Sequence, residues 1–261
     1  MTEHFQAYSR YYDLLYQDKD YEAETEYVAE LLGRFRPAVN TVLELGSGTG
    51  RHAELLAGRG PQVTGVERSA TMLEIANRRA AAVEEEAAFA FHQGDVRTFR
   101  SDQQFDAVIS LFHVASYQIS NADIRNMFRT ASHHLLAGGC FVFDVWFGPA
   151  VLAQQPEVRI KRLEDDTVCV LRIAEPSMNI CANRVDVHYT MLVSDKATGT
   201  VEQFTECHPM RYYFPLELDL IAEQTGFEIV HREEWMTGHA PSEQTWGVTF
   251  VAQKNAWKGE L

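Results

Sequence analysis

Short apolar runs alternate with helical spacings of apolar residues up to residue 146 of the chain. A short apolar run fits a strand that is covered on both faces, and a 3.6-residue spacing fits the helices that cover it. The pattern therefore predicts an α/β core with a mostly parallel sheet. The predicted strands lie at 41–43, 62–67, 89–96, 105–111 and 140–146. The predicted helices lie at 21–35, 52–57 and 123–136, and the two glycines at 138–139 predict a break before the last strand.

The pattern changes between residues 158 and 214, where β-branched and aromatic residues form longer runs. These runs, with a turn at 194–199, predict an antiparallel β-meander of three or four strands. A helix at 216–225 and two strands at 227–232 and 245–252 then return the chain to the core. We therefore expect four regions: an N-terminal aromatic lid and helix at 1–38, a core at 39–150, a β insertion at 151–214, and a C-terminal helix with a closing hairpin at 215–261. The acidic run at 84–86 predicts a solvated helix end.

A glycine-rich turn follows the first predicted strand. Gly46, Gly48 and Gly50 occupy alternate positions, so that main-chain N–H groups are open to a ligand. The spacing differs from the G-x-G-x-x-G of dinucleotide-binding turns. Glu44 lies two residues before the first glycine, where it would repel a pyrophosphate and attract an ammonium group. The turn therefore favours S-adenosylmethionine over NAD.

Two further acidic residues end the next two predicted strands. Glu67 follows Gly50 by 17 residues, at the tip of the second strand. An acid at this place in a nucleoside-binding sheet accepts the ribose hydroxyls. Asp95 ends the third strand, where it could accept a hydrogen bond from the adenine amino group. The alternative is that Glu44, Glu67 and Asp95 are ordinary solvated acids.

The order of these residues resembles the class I S-adenosylmethionine-dependent methyltransferases over residues 41–146 and the C-terminal strands. The resemblance implies a Rossmann-like, seven-stranded mixed sheet, into which the β-meander is inserted. It also implies that Glu44 orients the methionine ammonium, Glu67 the ribose and Asp95 the adenine. The complete set of residues expected to bind the cofactor is Tyr12, Tyr21, Glu44, Gly46, Ser47, Gly48, Glu67, Arg68, Gly94, Asp95, Val96 and Leu111.

The N-terminal segment is rich in tyrosine, and Tyr12 and Tyr21 have two interpretations. Their rings could cover the sheet edge, or they could form a lid over the cofactor, since ring faces stabilise a diffuse cation such as a sulfonium. In methyltransferases that resemble this chain, the corresponding Tyr-Asp-x-x-Tyr stretch closes over the site. We favour the lid.

The β insertion is similar to that of enzymes that dimethylate the amino group of nucleotide-linked deoxysugars. The likeness rests on the Lys-Asp-Tyr at 19–21, the Val-His-Tyr at 187–189 and three residues of the last inserted strand. It departs at Tyr117, where those enzymes carry a histidine, and at residues 145–147 and 242–245. These departures fall on the acceptor side and leave the acceptor open. Tyr117 and His113 are the expected catalytic residues, and the expected substrate-binding residues are Trp146, His188, Glu206, His208 and Arg211.

Composition narrows the class of partner. The 261 residues are 46% hydrophobic and carry a net charge of −14, which disfavours a nucleic-acid substrate and favours a small molecule. The chain shows no basic, apolar leader and no apolar run of about 20 residues, which predicts a cytoplasmic protein with no membrane partner. The four cysteines and ten histidines show no metal-ligand spacing, so we expect no metal. Pairing of the β insertion across a twofold axis would give a homodimer.

Alternative functions remain open on the sequence alone. An active enzyme would methylate an amino or hydroxyl group of a small metabolite, and our preferred substrate is an amino sugar or a nucleotide-linked sugar. A free amino acid or another small amine is an alternative acceptor. A catalytically silent protein would use the same pocket to bind S-adenosylmethionine without chemistry. A Rossmann dehydrogenase fits less well because of the glycine spacing and Glu44.

Overall fold

A computed structural model describes residues 8–83 and 88–255. The predicted solvated helix end at 84–86 and both chain ends lie outside the described residues. The strands of the described part are β1 (Thr41–Leu45), β2 (Gln62–Glu67), β3 (Phe89–Gln93), β4 (Phe105–Ser110), β5 (Leu135–Phe147), β6 (Arg159–Glu164), β7 (Val168–Asn179), β8 (Arg184–Asp195), β9 (Val201–Tyr213), β10 (Phe227–Glu234) and β11 (Gly247–Lys254). The helices are α1 (Tyr12–Leu15), α2 (Tyr21–Phe35), α3 (Arg51–Ala57), α4 (Ala70–Ala81), α5 (Asn121–His134), α6 (Gly148–Gln154) and α7 (Pro215–Gln224), with 3₁₀ turns at Tyr8–Tyr11, Val114–Tyr117 and Ile180–Ala182.

Local capping explains where the longer helices begin. Asp20 accepts a hydrogen bond from the N–H of Ala23 at the start of α2, and Ser120 does the same for Asp123 at the start of α5. Such caps satisfy N–H groups that have no partner inside the helix. Helix α2 stops two residues before Pro37, which cannot continue it.

The core is one mixed sheet in which β5 is central. Its parallel strands follow the order β3-β2-β1-β4-β5, and β11 adds to β5 in antiparallel fashion with β10 outside it. The inserted strands β6 to β9 form an antiparallel sheet, and β9 joins the end of β5 through the pairs Trp146–Tyr212 and Phe147–Tyr213. The predicted seven-stranded mixed sheet and its antiparallel insertion are confirmed, with four inserted strands.

The glycine pair at 138–139 does not separate a helix from a later strand, as the sequence suggested. Strand β5 begins at Leu135 and passes through both glycines, with a register shift against β4 between Phe105 and Ala107. A Cβ on Gly139 would lie 2.8 Å from the carbonyl oxygen of Asp106. Glycine is therefore required for close backbone approach at this irregularity.

Side chains of the parallel strands alternate between two apolar layers. One face of β1 buries Leu43 and Leu45 with the phenylalanines of α5 and β5, and the other buries Val42 with α2 and α3. Full burial stabilises each such side chain by about 1.5 to 3 kcal/mol. Glu44 shares the face of Val42, so its carboxylate lies beneath α2 and α3 near the end of the sheet. Among the described residues, no helix is long and apolar enough to cross a membrane.

Candidate active site

The glycine-rich loop between β1 and α3 combines close packing with one open position. The N–H groups of Gly46 and Ser47 both donate to the carbonyl oxygen of Val66, at 2.8 and 3.1 Å. A Cβ on Gly46 would lie 2.7 Å from the side chain of Val114, whereas a Cβ on Gly48 would meet nothing within 4 Å. Gly48, at φ 56°, therefore leaves a space beside the main chain that a ligand could fill.

Glu67 lies against this loop at the end of β2. One of its oxygens accepts the N–H of Gly48 at 2.9 Å, and the other accepts the N–H of Ser69 at 2.6 Å. Burial raises the pKa of Glu67, although these two N–H groups act in the opposite direction. Each oxygen keeps a second lone pair for a hydroxyl donor. The carboxylate is thus held in a fixed orientation at the place expected for a ribose.

Asp95 follows the end of β3 and is paired within its own loop. Its oxygens accept the side chain of Arg97 at 2.8 and 2.5 Å, and Arg68 approaches to 4.0 Å. The hydrogen bonds from Arg97 lower the pKa of Asp95. The N–H of Gly94 donates to the carbonyl oxygen of Glu67, so the two acidic residues lie in adjoining turns. Val96 is half-buried against the core.

A buried charge network beneath the loop was not found from the sequence. Lys19 pairs with Glu24 at 2.8 Å, Glu24 bonds Nε2 of His52 at 2.8 Å, and Nδ1 of His52 lies 3.9 Å from Glu44. Burial opposes ionisation of Glu24, but His52 and Lys19 together lower its pKa. The four residues come from the loop before α2, from α2 itself, from α3 and from β1. The sequence pointed to Glu44 and to the Lys-Asp-Tyr stretch at 19–21, but not to their connection through Glu24 and His52.

Glu44 is the least satisfied carboxylate of this network. Its Oε2 is buried and has no hydrogen-bond partner among residues 8–83 and 88–255, and the same holds for the hydroxyl of Ser47. Burial, with a smaller contribution from the charge of Glu67, raises the pKa of Glu44 to about 8. An uncompensated carboxyl beneath an open glycine suits a cationic ligand. The loop, Glu44 and Glu67 therefore fit S-adenosylmethionine, and Leu111 is buried nearby at the end of β4.

Aromatic side chains of the N-terminal segment contact the loop after β4. Tyr12 and Tyr16 meet the ring of Phe112 edge-on, at 6.4 and 4.9 Å, and the ammonium of Lys19 lies 3.6 Å above that ring. Phe112 and His113 both have φ of 63°, a conformation that costs energy for a residue with a Cβ. The N-terminal segment thus lies over a strained turn at the sheet end.

Contacts of Asp13 and Tyr21 fix the position of this segment relative to the glycine loop. Asp13 accepts the hydroxyl of Thr49 at 2.8 Å and pairs with Arg79 at 3.2 Å. Tyr21 packs its ring 5.0 Å from that of His52. This arrangement places both tyrosines that we expected in the lid beside the candidate cofactor site.

Tyr117, His208 and Glu206 form a hydrogen-bonded chain that joins the loop after β4 to strand β9. The Tyr117 hydroxyl lies 3.0 Å from Nδ1 of His208, and Nε2 of His208 lies 3.1 Å from Glu206. The second oxygen of Glu206 accepts the N–H of Tyr8 at 2.9 Å. Burial raises the pKa of Tyr117 well above its usual value, so this phenol remains protonated. The structure brings together one expected catalytic residue and two expected substrate-binding residues.

His113 belongs to a second polar group in the same loop. Its Nδ1 lies 2.6 Å from Asp144 on β5, whose two oxygens also accept the N–H of His113. The ring of Trp146 lies 6.3 Å from that of His113 and 5.4 Å from that of Trp246. Asp144 is buried, and its hydrogen bonds hold the main chain of His113 at the end of the sheet.

The structure does not bring His188 and Arg211 to either group. His188 is exposed because strand alternation places Val187 and Tyr189 on the inner face of β8 and His188 on the outer face. Arg211 is buried in an ion pair with Glu217 and donates to the side chain of Asn121 at 2.7 Å. Its contacts connect β9 to α5 and α7. Within residues 8–83 and 88–255, no group of three or more His, Cys, Asp or Glu side chains is placed to hold a metal ion.

Comparison with known proteins shows that this chain is similar to methyltransferases. A family model described as a methyltransferase domain matches residues 42–139. A dTDP-3-amino-3,6-dideoxy-alpha-D-glucopyranose N,N-dimethyltransferase of Streptomyces fradiae is 30% identical over 71% of this chain and 71% of its own. A dTDP-3-amino-3,4,6-trideoxy-alpha-D-glucopyranose N,N-dimethyltransferase of Streptomyces venezuelae is 28% identical over 87% of this chain and 92% of its own.

A solved structure supports the cofactor as well as the fold. The S-adenosylmethionine-bound structure of CalS10, an amino pentose methyltransferase from Micromonospora echinaspora, has a TM-score of 0.74 to this chain. The two are 27% identical, and the match covers 98% of this chain and 99% of the other. The chain therefore belongs to the family of S-adenosylmethionine-dependent methyltransferases that includes the N,N-dimethyltransferases of dTDP-linked amino deoxysugars, and it is an S-adenosylmethionine-dependent methyltransferase.

Proposed function

We propose that the enzyme transfers a methyl group to the amino group of a nucleotide-linked deoxysugar. The observation that carries the proposal is the Tyr117–His208–Glu206 chain, which presents a phenol on the acceptor side of a site fitted to S-adenosylmethionine. The phenol can accept a hydrogen bond from an amine and orient its lone pair. The named relatives and CalS10 act on amino sugars according to their descriptions, and this agrees with an amine acceptor.

The donor side of the proposed site uses the residues around the glycine loop. S-Adenosylmethionine supplies, when bound, a methyl carbon that is open to in-line displacement. We assign the methionine ammonium to Glu44 and the ribose hydroxyls to Glu67, with main-chain access at Gly48. The turn with Asp95 and Arg68 would hold the adenine. His52 approaches Glu44 to 3.9 Å. Tyr12, which contacts Phe112, would cover the site from the N-terminal segment.

The acceptor side must position the amine and exclude water. Holding a nucleophile in line with its target contributes about 7 to 11 kcal/mol to lowering a barrier through orientation. Tyr117 and His113 come from the two ends of one short loop, and each is fixed by a buried partner, His208 and Asp144 respectively. Trp146 packs beside His113 and would contact the sugar ring. An acidic group of the nucleotide would need a basic partner, and the exposed strand β6 carries three such residues at 159–162.

A transfer assay with labelled donor tests the acceptor class. We expect methylation of a dTDP-linked amino deoxysugar, no methylation of the matching hydroxy sugar, and none of free amino acids. Donor binding, measured by calorimetry, serves as the control. Methylation of the hydroxy sugar, or efficient methylation of a free amino acid, would show that the proposed acceptor is wrong.

Three further features belong to the same proposal. The net charge of −14 supports a small substrate in preference to nucleic acid. The four cysteines are free thiols, which agrees with a reducing cytoplasm.

Strand β6 forms the outer edge of the inserted sheet and exposes Ile160, a surface on which two copies could pair as a homodimer. Light scattering would measure the mass in solution. A monomer at assay concentration would show that the predicted homodimer is wrong.

A further inference from the structure

The geometry points to a proton relay behind Tyr117, in which His208 takes up the proton that the acceptor amine must lose and Glu206 stabilises the charge that results. This inference rests on the proposed amine acceptor. A protonated amine has no lone pair for attack, and a methylated product must lose a proton before it could accept a second methyl group. A path for that proton is therefore part of the reaction.

The hydrogen bonds define how the relay is set before the reaction. A carboxylate can only accept, so Glu206 requires the proton on Nε2 of His208. Nδ1 is then unprotonated and accepts the hydroxyl of Tyr117, at 3.0 Å. The same logic fixes the histidine tautomer wherever one ring nitrogen faces a carboxylate. The N–H of Tyr8, at 2.9 Å, holds the other oxygen of Glu206 and so fixes the carboxylate.

Each proton movement in the relay is accounted for. The N–H bond of the ammonium breaks as an O–H bond forms on Tyr117, and the original O–H bond of Tyr117 breaks as an N–H bond forms on Nδ1 of His208. No electron is transferred to or from the protein. Tyr117 ends as a neutral phenol and His208 as an imidazolium beside the carboxylate of Glu206. The imidazolium returns the proton to water once the products leave and water enters the site.

The surroundings of His208 suit a temporary positive charge. The residue is 1% exposed, and the rings of Tyr8, Tyr189 and Tyr117 lie 5.2, 4.9 and 5.9 Å from its imidazole. Aromatic rings attract a cation through their negative faces. Strand alternation places Glu206 and His208 on the same inner face of β9. Within residues 8–83 and 88–255, the titratable and charged groups around the cluster include Tyr8 from the N-terminal turn, Tyr12 from α1, Tyr117 from the loop, Tyr189 from β8 and Glu206 from β9, with Tyr16 and Arg172 hydrogen-bonded to the Tyr8 hydroxyl.

A purely structural role is the competing explanation, because Glu206 also binds the main chain of Tyr8. Glu206→Gln separates the two, since the amide oxygen can still accept the Tyr8 N–H while the negative charge is lost. Glu202→Gln is a matched control on the same strand, where the side chain is exposed. His208→Asn removes the proton acceptor itself.

The decisive measurement is the pH profile of kcat at saturating donor and amino sugar. We expect Glu206→Gln and His208→Asn to lower kcat at neutral pH on the order of 100-fold, the range of general acid–base catalysis. The loss should shrink at alkaline pH, where the amine is already unprotonated, while KM and donor affinity stay unchanged. Glu202→Gln should match the unaltered enzyme. An equal loss of kcat at every pH, weaker donor binding or a lower melting temperature in Glu206→Gln would overturn the relay and show that Glu206 has a structural role.

Nitrogen NMR of the histidine-labelled, unliganded protein gives a readout that is independent of activity. We expect His208 as the Nε2–H tautomer, and a shifted Nδ1 signal in Tyr117→Phe. The opposite tautomer would overturn the relay. If the unaltered enzyme methylates no amino sugar although it binds the donor, the proposed function fails; if it methylates one and the pH profiles of both variants stay unchanged, only the relay fails.

Discussion

Binding of S-adenosylmethionine should release a proton from Glu44. Burial raises the pKa of this carboxyl to about 8, and its Oε2 has no hydrogen-bond partner among the described residues. At pH 7 such a group is about 90% protonated in the unliganded enzyme. A bound ammonium beside it favours the carboxylate, and a nearby opposite charge lowers a carboxyl pKa by about 1 to 3 units. A drop of the full three units would release about 0.9 proton per site at pH 7.

The sign of the pH dependence follows from the same linkage. Below pH 8 the unliganded carboxyl is protonated and has to ionise on binding, so the donor affinity should fall as the pH is lowered. The fall should approach tenfold per pH unit between the two pKa values and stop below the pKa of the complex. Above pH 8 the carboxyl is already ionised, and this contribution to the pH dependence disappears.

Calorimetry in buffers of different ionisation enthalpy measures the number of protons released. Glu44→Gln is the matched variant, since it keeps the shape of the side chain and cannot ionise. The ligand's own protonation contributes equally to both proteins, so the difference between them reports Glu44. A melting curve of Glu44→Gln controls for folding. If both proteins release the same number of protons at pH 7, the account of Glu44 as a protonated, ligand-responsive carboxyl is refuted.

Three other substitutions have defined outcomes. Gly48→Ala should weaken donor binding by filling the open position, and it should lose about 1 to 2 kcal/mol of stability because of its positive φ. Gly199→Ala, which also has a positive φ but lies in an exposed turn, should lose stability without losing donor affinity. If calorimetry gives Gly48→Ala and Gly199→Ala the same donor affinity, Gly48 does not line the cofactor site. Glu67→Gln should reduce donor affinity without lowering the melting temperature by more than a few degrees; unchanged binding would remove the ribose role. Asp106→Asn should cost about 1 to 3 kcal/mol in chemical denaturation, because Asp106 accepts the N–H groups of Asn40 and Thr41 and pairs with Arg36. Hydrogen bonds from Asn40 and Arg36 outweigh burial and lower the pKa of Asp106. The stabilisation by Asp106 should therefore be present above pH 4 and be lost as the pH falls through the lowered pKa. A stability difference between the two proteins that does not change with pH would be inconsistent with this.

Features carried by neighbouring residues were predictable from the sequence. The strand, glycine turn and helix around Gly48 form one continuous segment, so their local signals already state the geometry. Strand alternation also explains why Glu206 and His208 share a face, and the same rule excludes His188 from it. Applying that rule to β8 at the outset would have separated His188 from the other candidates.

Features that depend on distant segments were not predictable. The network around His52 joins a loop before α2, a residue inside α2 and the start of α3, and no local pattern specifies that contact. Arg211 looked like a free cation in the sequence, but Glu217 from α7 neutralises it in the fold. Gly139 signalled a break, whereas the packing of β5 on β4 uses it as a point of close approach. In each case tertiary packing decides what the residue does.

The contact between Gly46 and Val114 joins the proposed donor side of the site to its proposed acceptor side. A Cβ on Gly46 would lie 2.7 Å from the side chain of Val114, so the turn after β1 and the turn after β4 are in close contact, and a change at Val114 would affect both. Laboratory evolution of new acceptors through residues 112–117 would therefore disturb donor affinity as an unintended side effect. Libraries that keep Val114 fixed should escape that coupling and yield more variants that retain tight donor binding.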